Sequence, residues 1–110
     1  MIDWDRLMEL REEVGPEDFD EVVELFLDEV EGVMDRLRES PDLETLEEDL
    51  HFLKGSALSL GFKNFSALCQ TGETNAAQGN ADQIDLPEIL ACYDASRAMF
   101  IADLPGQLAA

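Results

Sequence analysis

The apolar residues of this chain recur at three- and four-residue intervals nearly throughout, and turn residues divide the pattern into segments. The first segment predicts a short helix over about residues 3–14, which ends at Gly15-Pro16. A long second helix then continues to Ser40-Pro41-Asp42. That break also caps a third helix, whose apolar stripe starts at Leu43 and whose end is predicted at Gly61.

Two further helices complete the pattern. Residues 63–78 predict a fourth helix, and after a polar loop at 79–82 the segment Asp85-Leu86-Pro87-Glu88 has the form of a capping box. The fifth helix is predicted to end near Pro105-Gly106. Its inward-facing residues are predicted to be Ile89, Cys92, Ser96, Met99 and Phe100. Because short loops make neighbouring helices antiparallel, the predicted fold is all-α: an up-and-down four-helix bundle with a short extra N-terminal helix.

The size and composition of the chain suit one such bundle. It has 110 residues, 45% of them apolar, which predicts a single domain over residues 1–110. The segment Met1-Ile2-Asp3-Trp4-Asp5 lacks the basic start and apolar run of a signal peptide, and no stretch approaches the roughly 20 apolar residues of a membrane span. The two cysteines, Cys69 and Cys92, are expected to be reduced and buried. We therefore expect a cytoplasmic protein, with a monomer as the default.

The charge balance narrows the possible partners. Acidic residues outnumber basic ones 26 to 7, for a formal net charge of -19. Such a field repels phosphate backbones and anionic lipids, so nucleic acid and membrane surfaces are not expected to be partners. Solubility alone also accounts for this acidity.

The single histidine, His51, interrupts the pattern in the middle of the third helix. At about 100° per residue, the apolar residues of that helix cluster around Leu53, and His51 points about 160° away from it. The spacing therefore predicts an imidazole that faces solvent. An exposed histidine is often only a surface residue, so its neighbours decide whether it has a function.

Those neighbours form an unusual outward stripe. Gly55 lies one turn after the histidine, where a glycine costs about 1 kcal/mol relative to alanine and leaves open space. Lys54 lies at i+3, within reach of a group attached to the ring. Leu58 projects outward and resembles part of a docking surface, with Lys63 nearby. Phe62 joins that surface if the helix persists so far, and turns inward if the helix ends at Gly61.

The segment His51-Phe52-Leu53-Lys54-Gly55-Ser56-Ala57-Leu58-Ser59-Leu60-Gly61 resembles the H-x-L-K-G-S-x-x-x-L-G signature of histidine-containing phosphotransfer (HPt) domains at every fixed position. Looser agreement continues through Phe65, Leu68 and Cys69 to about Glu73, and the order of helices also suits the family. Gly72 departs from the pattern, because the family usually has a leucine there.

The resemblance implies a function and roles for individual residues. His51 would be the phosphoacceptor, Lys54 would assist the phosphoryl oxygens, and Gly55 would provide clearance for a partner. Glu73 stands where the family often has a glutamate or glutamine that holds the other ring nitrogen. Gly55, Leu58, Phe62 and Lys63 would form the partner-binding surface.

The implied activity is that of a phosphorelay carrier. The chain would take a phosphoryl group from the phosphoaspartate of one response-regulator receiver domain and pass it to another, with a hybrid histidine kinase as a further possible partner. No cofactor is expected in this chain, and Mg²⁺ would come with the receiver. The sequence has no P-loop or other nucleotide-binding motif, so we expect no kinase or nucleotide-hydrolysing activity.

Other interpretations stay open. The chain would look the same if it were the phosphoacceptor domain of a chemotaxis-type histidine kinase, or a helical scaffold whose histidine is unused. Glu47 and His51, at i and i+4, supply only two of the three or four protein ligands usual for zinc, so no metal site is expected. Catalysis by Cys69 or Cys92 is disfavoured, because both lie on predicted buried stripes without a nearby histidine.

Overall fold

The computed structural model describes residues 2–109. Met1 and Ala110 lie outside the described residues. The predicted domain includes both of them, and the segment considered for a signal peptide includes Met1. Within residues 2–109 the chain forms five α-helices and one short 3-10 turn. The helices are α1 (Trp4–Val14), α2 (Phe19–Glu39), α3 (Leu46–Leu60), α4 (Lys63–Ala77) and α5 (Leu86–Ala109), and the turn is Ala81–Gln83. The prediction of an all-α fold is confirmed.

The four longer helices form a bundle in which consecutive helices pack together and α5 also packs against α2. His51 of α3 forms a hydrogen bond with Glu73 of α4. Lys54 lies almost one turn after His51 in α3, and its partner Gln70 lies almost one turn before Glu73 in α4. These two helices therefore run antiparallel. The ion pairs that join α2 and α5 have the same opposed order, Glu31 with Arg97 and Arg38 with Asp94. The molecule is accordingly elongated, measuring 44 × 22 × 21 Å.

The short helix α1 packs against α3 and α2. Oδ1 of Asp3 caps it by accepting the backbone N–H of Arg6 at 3.1 Å, and the N–H of Asp3 donates to the carbonyl of Gly61 at 2.7 Å. Gly61 has the left-handed φ of 81° with which α3 ends, and a side chain there would collide with the backbone of Asp3. Gly61 thus ends α3, as predicted, and its lack of a side chain also lets the backbone of Asp3 pack against it.

The core lies along the bundle axis and is rich in aromatic side chains. Phe62 stands between Tyr93 and Phe100, with ring centroids 6.2 and 5.3 Å away. Trp4 of α1 stacks on Phe100 at 5.9 Å, which ties the short helix to α5. The most fully buried large side chains are Tyr93, Phe19, Phe62, Phe65, Phe100, Leu7, Met34, Leu46, Leu50, Leu53, Leu60 and Val30.

Two residues that were predicted to face the core are exposed: Leu43, ahead of α3, and Met99, on α5. Leu43 is 53% exposed, because Asp42 accepts the backbone N–H of Glu44 at 2.9 Å and holds residues 43–45 in a turn ahead of the helix. On α5, Met99 is 38% exposed, and Tyr93 occupies the interior that Met99 was expected to share.

The predicted end of the last helix near Pro105-Gly106 is also wrong, since α5 continues through Pro105 to Ala109. A proline inside a helix removes the hydrogen bond to the carbonyl four residues earlier. That carbonyl belongs to Ile101, which lies on the exposed side of α5, where water can hydrate it. Leu104 and Leu108 pack against the core, so burial on the opposite side of the helix offsets the lost bond.

Across residues 2–109, none of the helices combines the length and apolar character needed to cross a bilayer.

Candidate functional site

His51 lies in the middle of α3 with its side chain 70% exposed, as its angular position predicts. Two of its neighbours in α3, Leu50 and Leu53, are fully buried and have no exposed surface. The core therefore fixes the backbone that carries the histidine, while the imidazole itself stands outside the bundle.

One nitrogen of the imidazole is engaged by the neighbouring helix. Nδ1 of His51 lies 2.6 Å from Oε2 of Glu73, the residue 22 positions later on α4. An ionised carboxylate can only accept hydrogen bonds, so Nδ1 carries the proton and donates it. In the neutral ring this tautomer leaves a lone pair on Nε2. The exposed ring therefore presents a nucleophilic nitrogen to solvent.

The second oxygen of the same carboxylate is bound by Lys54. The Nζ of Lys54 donates to Oε1 of Glu73 at 2.7 Å and to Oε1 of Gln70 at 3.0 Å. Gln70 in turn donates from Nε2 to Oγ1 of Thr74 at 3.2 Å. An ammonium has three N–H donors, so Lys54 retains one that these two contacts do not use.

These contacts keep Glu73 ionised. The hydrogen bond from Lys54 is the largest influence, and together with the hydrogen bond from His51 it holds the pKa of Glu73 below its ordinary value, against the opposing effect of desolvation. A carboxylate with a lowered pKa is fully charged near neutral pH. Glu73 can thus accept from the histidine and the lysine at once.

The surface beyond the histidine is open. A Cβ built on Gly55 would meet nothing within 4 Å, so no contact inside the chain requires a glycine there. Leu58 is 54% exposed, and Lys63, at the start of α4, is exposed. Beside them lies a groove of about 440 Å³ formed by α3 and the N-terminal segment. Its lining residues are Asp3, Arg6, Gly55, Leu58, Ser59, Gly61 and Lys63.

Phe62 does not belong to this surface, and its prediction as a partner-binding residue is wrong. It is only 1% exposed and packs edge-on against Phe100. The reason is the left-handed turn at Gly61, which ends α3 and redirects the chain before Phe62. The side chain therefore enters the core instead of continuing the outward stripe of His51 and Leu58.

Two residues of the site are absent from the sequence-based prediction. Gln70, which holds Lys54, lies three residues before Glu73 and so on the same face of α4, a spacing that was sufficient to find it. Arg6 enters the groove because α1 packs against α3, and no local feature of the sequence signals that contact.

The remaining candidate chemistry is not assembled into a site. Among the described residues no three His, Cys, Asp or Glu side chains are grouped so that they could hold a metal ion. Cys69 and Cys92 are both free thiols, the first buried and the second half-buried. Burial is the main cause that raises the pKa of Cys69 to about 12, which leaves it protonated and unreactive in the folded chain.

Comparison with known proteins agrees with this geometry. The Hpt domain family matches residues 21–109, from the first turn of α2 to the end of α5. No curated protein and no solved structure matches the chain. Because the family match covers most of the chain and includes both helices of the site, the chain belongs to the Hpt domain family, whose members carry out histidine phosphotransfer in phosphorelays.

Proposed function

We propose that His51 accepts a phosphoryl group from the phosphoaspartate of one response-regulator receiver domain and transfers it to a second receiver. The observation that carries this proposal is the state of the imidazole. Its Nδ1 is bound to Glu73 at 2.6 Å, while the ring is 70% exposed, so that Nε2 is available to a partner.

In the transfer step the lone pair of Nε2 attacks the phosphorus of the receiver's aspartyl phosphate. The N–P bond forms as the bond from phosphorus to the aspartyl oxygen breaks, and the electron pair leaves with the aspartate carboxylate. The ring then bears the phosphoryl group on Nε2 and a proton on Nδ1, and so carries a positive charge. The carboxylate of Glu73 stabilises that charge through the existing hydrogen bond.

Lys54 is suited to the phosphoryl oxygens. Phosphoryl transfer passes through a loose transition state in which positioning and charge stabilisation do most of the catalysis. The side chain of Lys54 lies one turn from His51, is 22% exposed and has one N–H beyond those used by Gln70 and Glu73. That donor is available to an oxygen of the phosphoryl group while the other two hold the ammonium in place.

The chain supplies only half of this reaction site. We expect the receiver to contribute Mg²⁺ and the acidic group that is phosphorylated, and this chain to act as a carrier without kinase activity. The open surface at Gly55 and Leu58 would admit the receiver to the ring. The two free cysteines suit a reducing compartment, and we propose the cytoplasm as the location.

The test is transfer from a panel of receiver domains encoded by the same genome, each charged with radiolabelled phosphate from a small acyl phosphate. We expect at least one receiver to label this chain, with a label that survives alkali and is lost in acid, as phosphohistidine requires. The matched control is His51→Gln, which should fold normally because the side chain is exposed and should accept no label. A wild-type chain that stays unlabelled across the panel, or a labelled His51→Gln chain, contradicts the proposal.

A further inference from the structure

Four glycines occur inside helices, and the structure gives them different surroundings. A Cβ added to Gly32 in α2, to Gly55 in α3 or to Gly106 in α5 would meet nothing within 4 Å. A Cβ added to Gly72 in α4 would lie 2.8 Å from Cδ1 of Leu50. Glycine weakens a helix relative to alanine, so its presence within α4 has a packing reason that the other three helical glycines lack.

The packing reason lies directly beneath the reactive histidine. Leu50 and Gly72 are the residues immediately before His51 and Glu73 in α3 and α4, so the two pairs form adjacent layers between the same helices. Leu50 has no exposed surface, and its side-chain tip occupies the place where residue 72 would have a Cβ. The side chain of Leu50 in α3 thus packs directly against the backbone of α4 at Gly72.

We infer that Gly72 is a positioning residue: by admitting the Leu50 side chain against the backbone of α4, it sets the helix separation at which Glu73 reaches Nδ1 of His51. The inference rests on the proposed function, since it concerns the carboxylate that leaves Nε2 free for phosphate. Gly72 itself touches neither the imidazole nor the phosphoryl group.

The distances show why one methyl group matters. Non-bonded carbon atoms approach to about 3.5–4.0 Å, so a Cβ at 2.8 Å from Cδ1 of Leu50 has to retreat by about 0.7 Å or more. Leu50 is enclosed by the core and cannot turn into solvent, and a Cβ on Gly72 would also contact Ile84 and Ile89 at 3.6 and 3.5 Å. A turn of the flexible Leu50 side chain can relieve part of this strain, and we infer that the rest moves α4 away from α3.

Such a movement affects the whole acceptor network at once. The hydrogen bond from His51 to Glu73 is 2.6 Å long, and a retreat of about 0.7–1 Å takes it to the limit of hydrogen bonding. Gln70 lies on the same helix as Glu73, so both acceptors of Lys54 shift with it. The tautomer of His51 is the property that reports this displacement most directly.

The experiment measures the ring-nitrogen chemical shifts of His51 by ¹⁵N NMR at neutral pH, with no phosphodonor or receiver present. The wild type should show the Nδ1–H tautomer, and Glu73→Gln defines the spectrum without the carboxylate. We expect Gly72→Ala to shift towards the Glu73→Gln spectrum. Gly32→Ala, an equal change at an open helical position, should retain the wild-type shifts.

A second variant separates positioning from general damage. Leu50→Val combined with Gly72→Ala removes one carbon from α3 and adds one to α4, which should restore the wild-type ring shifts. Wild-type shifts in Gly72→Ala, or Glu73→Gln-like shifts in the double variant, overturn the inference. If Gly72→Ala alone does not fold, the double variant decides by the same criterion, and a double variant that is also unfolded counts against the inference. Because the measurement involves no transfer, its failure is distinct from failure of the receiver assay.

Discussion

The Nζ of Lys54 lies 2.7 Å from Oε1 of Glu73, and the other oxygen of that carboxylate receives the hydrogen bond of the histidine ring. One acidic side chain therefore holds both the nucleophile and the cation proposed to stabilise the phosphoryl oxygens. The ion pair is partly shielded, since the two side chains are 22% and 17% exposed. Each residue consequently helps to orient the others.

The first prediction concerns the ionisation of Glu73. Because the hydrogen bond from Lys54 is the main cause of the lowered pKa, Lys54→Met should raise the pKa of Glu73. A carboxyl group with a depressed pKa contributes stability that is present above its unfolded value of about 4.3 and is lost as the pH falls through the folded value. In Lys54→Met the folded pKa moves towards the unfolded value, so this contribution should be smaller and its loss should be complete at a higher pH. A ¹³C NMR titration of the Glu73 carboxyl will measure the pKa itself.

Lys63 provides the control for this titration, because it is the other lysine of the chain and lies exposed at the start of α4. Lys63→Met should leave the titration of Glu73 unchanged. Lys54→Met should also slow phosphotransfer by about 10²-fold, the usual effect of removing one charge-stabilising donor. Equal titration curves for the wild type and Lys54→Met would show that the ion pair does not govern Glu73.

The second prediction uses two glycines at open helical positions, Gly55 and Gly32. Gly55→Ala and Gly32→Ala should each stabilise the fold by up to about 1 kcal/mol, because alanine is the better helix former and neither Cβ meets an obstacle. Only Gly55→Ala should slow transfer from a receiver, since only Gly55 lies one turn from His51. Urea unfolding and the transfer assay measure the two effects. Equal transfer rates for both variants would show that Gly55 has no role in docking of the receiver.

The sequence was sufficient to predict the local features of this site. The helical period placed His51 outward, and the structure agrees, with a 70% exposed side chain. The resemblance to HPt domains pointed to Glu73, and the contact of 2.6 Å is present. The first prediction depends on the direction of side chains within a regular helix, which the spacing of residues determines. The second rested on the resemblance, because the contact joins two helices.

Features that depend on tertiary packing were harder to predict. The direction of Phe62 follows from the turn at Gly61, and a periodic pattern cannot extend through that turn. The continuation of α5 past Pro105 depends on the burial of Leu104 and Leu108, which outweighs the local preference of proline. The contact between Gly72 and Leu50 joins two helices and has no counterpart in the local sequence of either.

The third prediction contrasts Leu58 with Phe62. Leu58→Glu should change the free energy of unfolding by no more than about 0.5 kcal/mol, because the side chain is 54% exposed. It should weaken binding of the receiver, since it places a charge in the apolar part of the surface beside His51. Calorimetric titration of the receiver that labels His51 will measure the loss. Unchanged affinity would place the docking surface elsewhere.

Phe62→Ala should behave in the opposite way. Removing a side chain that is 1% exposed and packed against Tyr93 and Phe100 should cost about 3–5 kcal/mol of unfolding free energy. Urea unfolding measures this cost. A loss below about 1 kcal/mol would be incompatible with a core position for this ring.

The fourth prediction concerns alkaline pH. Burial raises the pKa of the Cys69 thiol to about 12, whereas an unfolded cysteine ionises at about 8.5. Between these values the unfolded chain releases a proton that the folded chain retains, so stability should fall as the pH rises, by up to about 1.4 kcal/mol per pH unit from this one group. Cys69→Ala removes the group, and its unfolding free energy should decline less steeply between about pH 9 and 11 than that of the wild type. Parallel declines in urea unfolding at these pH values would show that the thiol ionises as readily in the folded chain, which its complete burial forbids.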